Sequence, residues 1–150
     1  MYKRARFGTR LPVGRRYTLS HYWLREEEPG VWRIGFAKFA TRMLGELVEF
    51  EFATPVGSAA EVGQSIGWVE GFKAVSDLYS VVTGEFLGSN PALAKDITLV
   101  DSDHYETGWL YRARGVPDPG AVDVSGYVAV LNATIDKMLG SRYSEGKSDV

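Results

Sequence analysis

Few residues of this chain are placed to do chemistry, and the one whose setting stands out is a lysine. Lys73 falls in Gly71-Phe72-Lys73-Ala74, between two apolar, strand-like runs, Ser65–Glu70 and Leu78–Val82. With Glu70 three residues before it and Ala74 directly after, the segment reads Glu-x-x-Lys-Ala. A lysine in a turn is ordinarily a solvated surface residue. Here the apolar flanks predict a tight hairpin that holds the turn rigidly and presents the amine outward, which is what a ligase modifying one lysine needs.

The other candidates are weaker. There are two histidines. His21, before Tyr22-Trp23, reads as a packed or surface residue. His104 ends Asp101-Ser102-Asp103-His104, which could resemble a cation site but equally forms a polar loop with side chain–backbone turns, the preferred reading. No glycine-rich stretch follows a strand and opens a helix as a phosphate cradle would. The chain has no cysteine, which excludes disulfides, thiolate metal sites, cysteine-ligated clusters and protein-thiol redox chemistry. Any sulfur or redox chemistry must come from an attached group.

The elements that would position Lys73 are mostly short strands. Tyr22-Trp23-Leu24, the turn Glu26–Gly30 and Val31–Gly35 predict a hairpin. Phe36, Phe39, Ala40 and Met43/Leu44 recur at helical spacing, with Gly45 as a stop. Leu47–Phe52 alternates with period two, as a half-buried strand does. After Gly84, Glu85–Leu87 is a further short strand and Trp109–Ala113 the last. Val124, Val128, Leu131, Ile135 and Met138/Leu139 then predict one amphipathic helix with Gly140 as its C-cap. The expected fold is mainly β, a sandwich or barrelled hybrid with a short internal helix and a C-terminal helix. The expected division is a basic tail over 1–16, one domain over 17–140 and a polar tail over 141–150.

At 150 residues, 45% apolar and 24% charged, the chain is in the range of one globular domain. No stretch approaches the roughly 18 consecutive apolar residues of a membrane span, and no secretory signal is present, so a cytoplasmic location without membrane association is expected. Residues 1–16 hold Lys3, Arg4, Arg6, Arg10, Arg15 and Arg16 and no acid. That segment reads as a solvated, poorly ordered terminus able to dock an acidic partner. The acidic remainder argues against nucleic acid.

Several motifs in order then converge on one family. Val69-Glu70-Gly71-Phe72-Lys73-Ala74-Val75-Ser76-Asp77 resembles the lipoylation hairpin of the glycine cleavage system H protein, and Val82-Thr83-Gly84-Glu85 the strand and turn that pair with it. Asn90-Pro91-Ala92-Leu93, Gly108-Trp109-Leu110 and Ser20-His21-x-Trp23 resemble three further family stretches, so the likeness spans about Tyr17 to Leu139. It implies a lipoyl-domain-like fold in which Lys73 carries lipoate through an amide bond. It also implies that Glu70, Gly57, Gly84 and Ala74 help a lipoate-protein ligase, or the lipoyl synthesis enzymes, recognise the acceptor. Such a protein is a substrate of partner enzymes, dihydrolipoyl dehydrogenase among them, and not an enzyme.

The departures concern cargo. The family usually has Ser-Val where Gly71-Phe72 stand, and a glutamate where Tyr22 stands. The loaded aminomethyl arm is cationic and folds into a cleft whose counterparts here would be Ser20, Tyr22, Met43 and Asp77. Tyr22 cannot supply charge, and Met43 stands where some members have a polar residue or histidine. This more apolar cleft favours a sister group, H-like lipoate-binding proteins serving heterodisulfide-reductase-like sulfur oxidation. The alternative is the glycine cleavage carrier itself, working with glycine decarboxylase and aminomethyltransferase. A cofactor-free all-β binding module is the reading from another class.

Overall fold

The computed structural model describes the backbone of residues 1–148 and side chains through residue 140; the final two residues of the expected polar tail lie outside the described residues. The strands, in chain order, are β1 (Tyr2–Arg4), β2 (Phe7–Thr9), β3 (Arg16–Tyr17), β4 (Tyr22–Glu28), β5 (Val31–Phe36), β6 (Leu47–Phe52), β7 (Ala59–Ala60), β8 (Ser65–Gly71), β9 (Val75–Tyr79), β10 (Val82–Ser89) and β11 (Tyr111–Pro117). The helices are α1 (Lys38–Leu44), α2 (Ala92–Lys95), α3 (Leu99–Ser102) and α4 (Val124–Ser148).

β4 shows how the layers form. Because side chains alternate across a strand, Tyr22 and Leu24 enter one core while Trp23 enters another. The first core lies between a six-stranded sheet, ordered β3-β4-β5-β11-β10-β7, and a three-stranded sheet, β6-β8-β9. Ile34, Ile66, Val69, Leu78 and Tyr111 are fully buried there. The second core joins Trp23, Tyr17 and Phe39 to Tyr127, Leu131 and Ile135 of α4. The fold is the expected mainly-β sandwich with an internal and a C-terminal helix; its sheets remain open.

Four local expectations are corrected. Residues 1–16 do not form a frayed tail: β1 and β2 pair, Tyr2 Oη donates to Asn132 at 2.8 Å, and the Arg4 guanidinium holds Asp136 through two bonds. Phe7 is buried edge-on against Phe39, and Arg15 is buried over the Trp23 ring. β10 runs unbroken through Gly84 and pairs with β7 and β11, not with the lysine hairpin. Gly140 does not cap α4, which continues to Ser148. The apolar run 78–82 divides at Ser80, whose backbone N–H turns to the Gln64 carbonyl and ends β9.

Candidate functional site

Lys73 sits where the sequence puts it, exposed at the turn between antiparallel β8 and β9. What the sequence does not reveal is how the turn is held. Gly71 N–H donates to the Ala74 carbonyl at 2.9 Å, closing the tip on itself. Lys73 N–H donates to the Leu44 carbonyl at 2.8 Å and Phe72 N–H to the Glu46 carbonyl at 3.0 Å, fastening the tip to the turn that leaves α1. That turn needs glycine: Gly45 has φ of 78°, and a Cβ there would fall 2.9 Å from Lys73 N. The backbone beneath the amine is therefore pinned at three carbonyls, while the one hydrogen-bond partner of the side chain among the described residues is the Arg42 carbonyl, 3.4 Å from Nζ. No carboxylate among the described residues pairs with Lys73. An exposed, unpaired amine on a fixed backbone fits acylation, since the reaction removes a charge with no ion pair to break.

The residues expected to aid ligase recognition divide between the two sheets. Glu70 is exposed on β8 and Ala74 lies in the tip. Glu70 is register partner to Glu49 on β6, so two exposed carboxylates stand side by side below the lysine. Like charges directly opposite are unfavourable in a sheet, and Glu49 is the site feature that only strand pairing could expose. Gly84 belongs instead to the six-stranded sheet, and Gly57 to the turn that precedes β7 at that sheet's edge. Gly57 N–H donates to the Phe86 carbonyl at 2.8 Å, and Gly84 faces Gly115 across the β10–β11 ladder, where a Cβ would meet the Arg114 carbonyl at 1.9 Å. Close strand approach accounts for Gly84.

Of the expected cleft residues, Tyr22 and Asp77 are drawn to one region. Tyr22 is buried, its ring 5.1 Å from that of Phe36, and its hydroxyl accepts from Tyr79 N–H at 3.0 Å. Burial pushes its phenol well above the ordinary range, and the Asp77 carboxylate adds to that. Asp77 is exposed and opposite Trp68. Ser20 is exposed and bonded to the Thr18 hydroxyl at 2.9 Å, and Met43 lies exposed on α1.

The histidines are structural. His21 Nδ1 lies 2.7 Å from the Tyr127 hydroxyl, and burial holds its imidazole down at about 4. His104 is also held at about 4, by burial first and by the Lys38 charge second. The Thr41 hydroxyl donates to the Lys38 carbonyl at 2.9 Å, so it accepts from His104 Nε2 at 2.6 Å. Asp101 and Asp103 turn apart, the first to Leu47 N–H and the second to Thr107. Among the described residues no group of acids and histidines could hold a metal ion, and no helix is long and apolar enough to cross a membrane.

Comparison with known proteins adds a consistent set of likenesses. The family described as glycine cleavage H-protein matches residues 15–130. The glycine cleavage system H protein of Enterobacter sp. (strain 638) is 33% identical over 124 residues, covering 81% of this chain and 95% of the relative. That of Shewanella sediminis is 35% identical over 127 residues, covering 81% and 96%. Among solved structures, a glycine cleavage system H protein from Mycobacterium marinum superposes with a TM-score of 0.71 at 31% identity, covering 79% of this chain and 97% of that one. The β1–β2 hairpin precedes the matched residues.

Proposed function

The chain belongs to the glycine cleavage H-protein family, and from that premise we propose that it is a carrier, not an enzyme, whose Lys73 amine bears a lipoyl group in amide linkage. The observation that carries the reading is the pinned tip. A ligase must bring one amine to an activated carboxyl group, and positioning is the costly part of such a step. Bonds from Lys73 and Phe72 to the α1 turn leave only the lysine side chain to search. Glu70 and Ala74 flank the amine on the surface that a ligase would read.

When bound, the lipoyl group supplies a dithiolane whose sulfurs accept and release the transferred group. The protein's own part is to keep Lys73 exposed and its backbone fixed, and to bring no thiol that could compete. We assign the cargo first to the glycine cleavage reaction, because the named relatives belong to that system. Glycine decarboxylase, aminomethyltransferase and dihydrolipoyl dehydrogenase are then the partners. This reverses the order favoured by sequence alone. Sulfur oxidation stays as a second reading on one observation: Tyr22 is buried, and its hydroxyl is already engaged by Tyr79 N–H, so it offers a cationic arm no countercharge.

The test begins with lipoylation. Incubation with a lipoate-protein ligase should add the mass of one lipoyl group to the wild-type protein and none to Lys73→Arg; modification persisting in the variant would refute the assignment. The lipoylated protein is then supplied to a glycine cleavage assay beside an ordinary H protein. Comparable turnover supports the first reading, and failure to accept the aminomethyl group moves the second ahead.

A further inference from the structure

Beside the lysine tip, on the side of α1 facing the N-terminal hairpin, lies a groove of about 350 Å³. It is lined by Arg6, Phe7 and Gly8 around the β1–β2 hairpin, by Lys38, Thr41 and Arg42 of α1 and the Gly45-Glu46 turn, and by Lys73, Asp101 and His104. The charges are unequal. Arg6, Lys38, Arg42 and Lys73 face Glu46 and Asp101, and His104 is neutral. Asp101 is further engaged by Leu47 N–H at 3.1 Å, and Lys38 Nζ reaches the Gly8 carbonyl at 2.7 Å, tying hairpin to helix. Arg6 and Arg42 are exposed, and among the described residues neither pairs with a carboxylate. The floor is polar and closed, since the buried Thr41 hydroxyl and His104 imidazole satisfy each other.

We propose that this groove is an anion-binding site for the free end of the arm on Lys73, holding a negatively charged group on the arm's sulfur in preference to a neutral one. The proposal rests on Lys73 being the lipoyl acceptor. Acylation removes the lysine's charge and leaves Arg6, Lys38 and Arg42 as the cations. Two of them are guanidinium groups, whose planar forks suit carboxylate-like and sulfonate-like oxyanions. Arg6 comes from the segment that precedes the family match. The ligand class is a thiol-linked anion, such as a thiolate, a thioether carboxylate or an S-sulfonate.

The absence of cysteine makes the test clean at neutral to mildly alkaline pH, where thiolates react far faster than methionine thioethers, because only the arm carries thiols. The lipoylated, isotope-labelled protein is reduced and divided. One half reacts with iodoacetate, each thiol losing its proton and displacing iodide to leave a carboxymethyl anion. The other half reacts with iodoacetamide, which leaves a neutral group of nearly the same size. The amide signals of Gly8, Thr41, Arg42 and Gly45 should move several-fold more in the anionic form than in the neutral one. The excess should shrink on adding salt, and in Arg6→Gln and Arg42→Gln. Both variants alter exposed side chains, and the neutral form of each serves as its folding control. Equal movement in the two forms, or movement confined to Phe72–Ala74, overturns the groove proposal and leaves the acceptor assignment standing. A chain that gains no lipoyl mass overturns the acceptor assignment, and the groove proposal falls with it.

Discussion

Gly71 is the sharpest test of the pinned tip. A Cβ at this position would lie 2.2 Å from the Leu44 carbonyl oxygen, 2.8 Å from the Leu44 carbonyl carbon and 3.0 Å from the Gly45 oxygen. All three are backbone atoms, so no flexible side chain can yield. In Gly71→Ala the tip must lift from the α1 turn and surrender the bonds from Lys73 N–H to Leu44 and from Phe72 N–H to Glu46, or the turn must deform. Two exposed backbone bonds contribute a net of about 0.5–1.5 kcal/mol each, and overpacking costs roughly 1–3 kcal/mol when nothing moves. Because lifting relieves the clash, the expected loss is about 1–3 kcal/mol, read as a lower urea midpoint at constant slope. The ligase sees a second effect. If the competent tip becomes a minor conformer, apparent affinity falls by its population, so the ligase KM should rise by about five- to 150-fold with kcat little changed. Gly71→Ser, which restores the family's usual residue, carries the same Cβ and should behave alike. An unchanged midpoint together with unchanged ligase kinetics would show that the tip is not held by α1.

Three other outcomes follow from the packing. His104 is neutral when folded, with its titration pushed down to about 4, whereas the unfolded chain protonates near the ordinary 6.5. The unfolded state therefore binds more protons across that window, and stability should fall as pH drops through it, on the order of 3 kcal/mol from this residue. His21 acts in the same direction. Urea midpoints at about pH 7.5 and about pH 4.5 read the loss, and His104→Gln should flatten it. Tyr22→Phe removes the acceptor of Tyr79 N–H inside the sandwich and should cost about 1–3 kcal/mol, seen as a lower thermal midpoint. Phe7→Ala, which empties the buried site against Phe39, should cost roughly 3–5 kcal/mol. It should also expose residues 1–16 to limited proteolysis; resistance equal to wild type would mean that the hairpin is held by its polar bonds alone.

What could be read from the sequence was local. Gly45 stops a helix and Leu47–Phe52 forms a strand, because each depends on neighbours in the chain, although the hairpin turn narrows from Glu26–Gly30 to Pro29-Gly30 and a bulge after Leu47 breaks the expected alternation. The lysine tip was legible for the same reason. What could not be read depends on partners distant in sequence. The N-terminal hairpin looks like a basic tail until α4 is in place: Tyr2 is bonded to Asn132 and Arg4 to Asp136, more than a hundred residues away. Gly84 looks like a turn glycine until β11 is laid beside it and the Arg114 carbonyl fills the space of its missing side chain. Tyr22 looks like a cleft residue that has lost a charge, and period two alone cannot tell that both faces of β4 are covered. Glu49 gives no sequence signal at all; its pairing with Glu70 exists only in the register of β6 on β8.

The two sides of the lysine tip are electrostatically unlike, and that asymmetry frames the question of cargo. Toward β9 the charge on offer is Asp77, an exposed carboxylate near the buried, uncharged Tyr22. Toward the N-terminal hairpin the balance is cationic, through Arg6, Lys38 and Arg42. A cationic aminomethyl arm would be attracted by the first side and repelled by the second, and an anionic arm the reverse. Each preference is modest while the groups stay solvated and grows as they are desolvated. The family relationship by itself speaks for the Asp77 side. The segment before the family match supplies Arg6 to the opposite side and, through Lys38 Nζ on the Gly8 carbonyl, is tied to the helix that pins Lys73. On the groove proposal, such a carrier would discriminate among cargoes by charge without altering the lysine or its hairpin, because Arg6 lies on the N-terminal hairpin and Lys38 and Arg42 on α1.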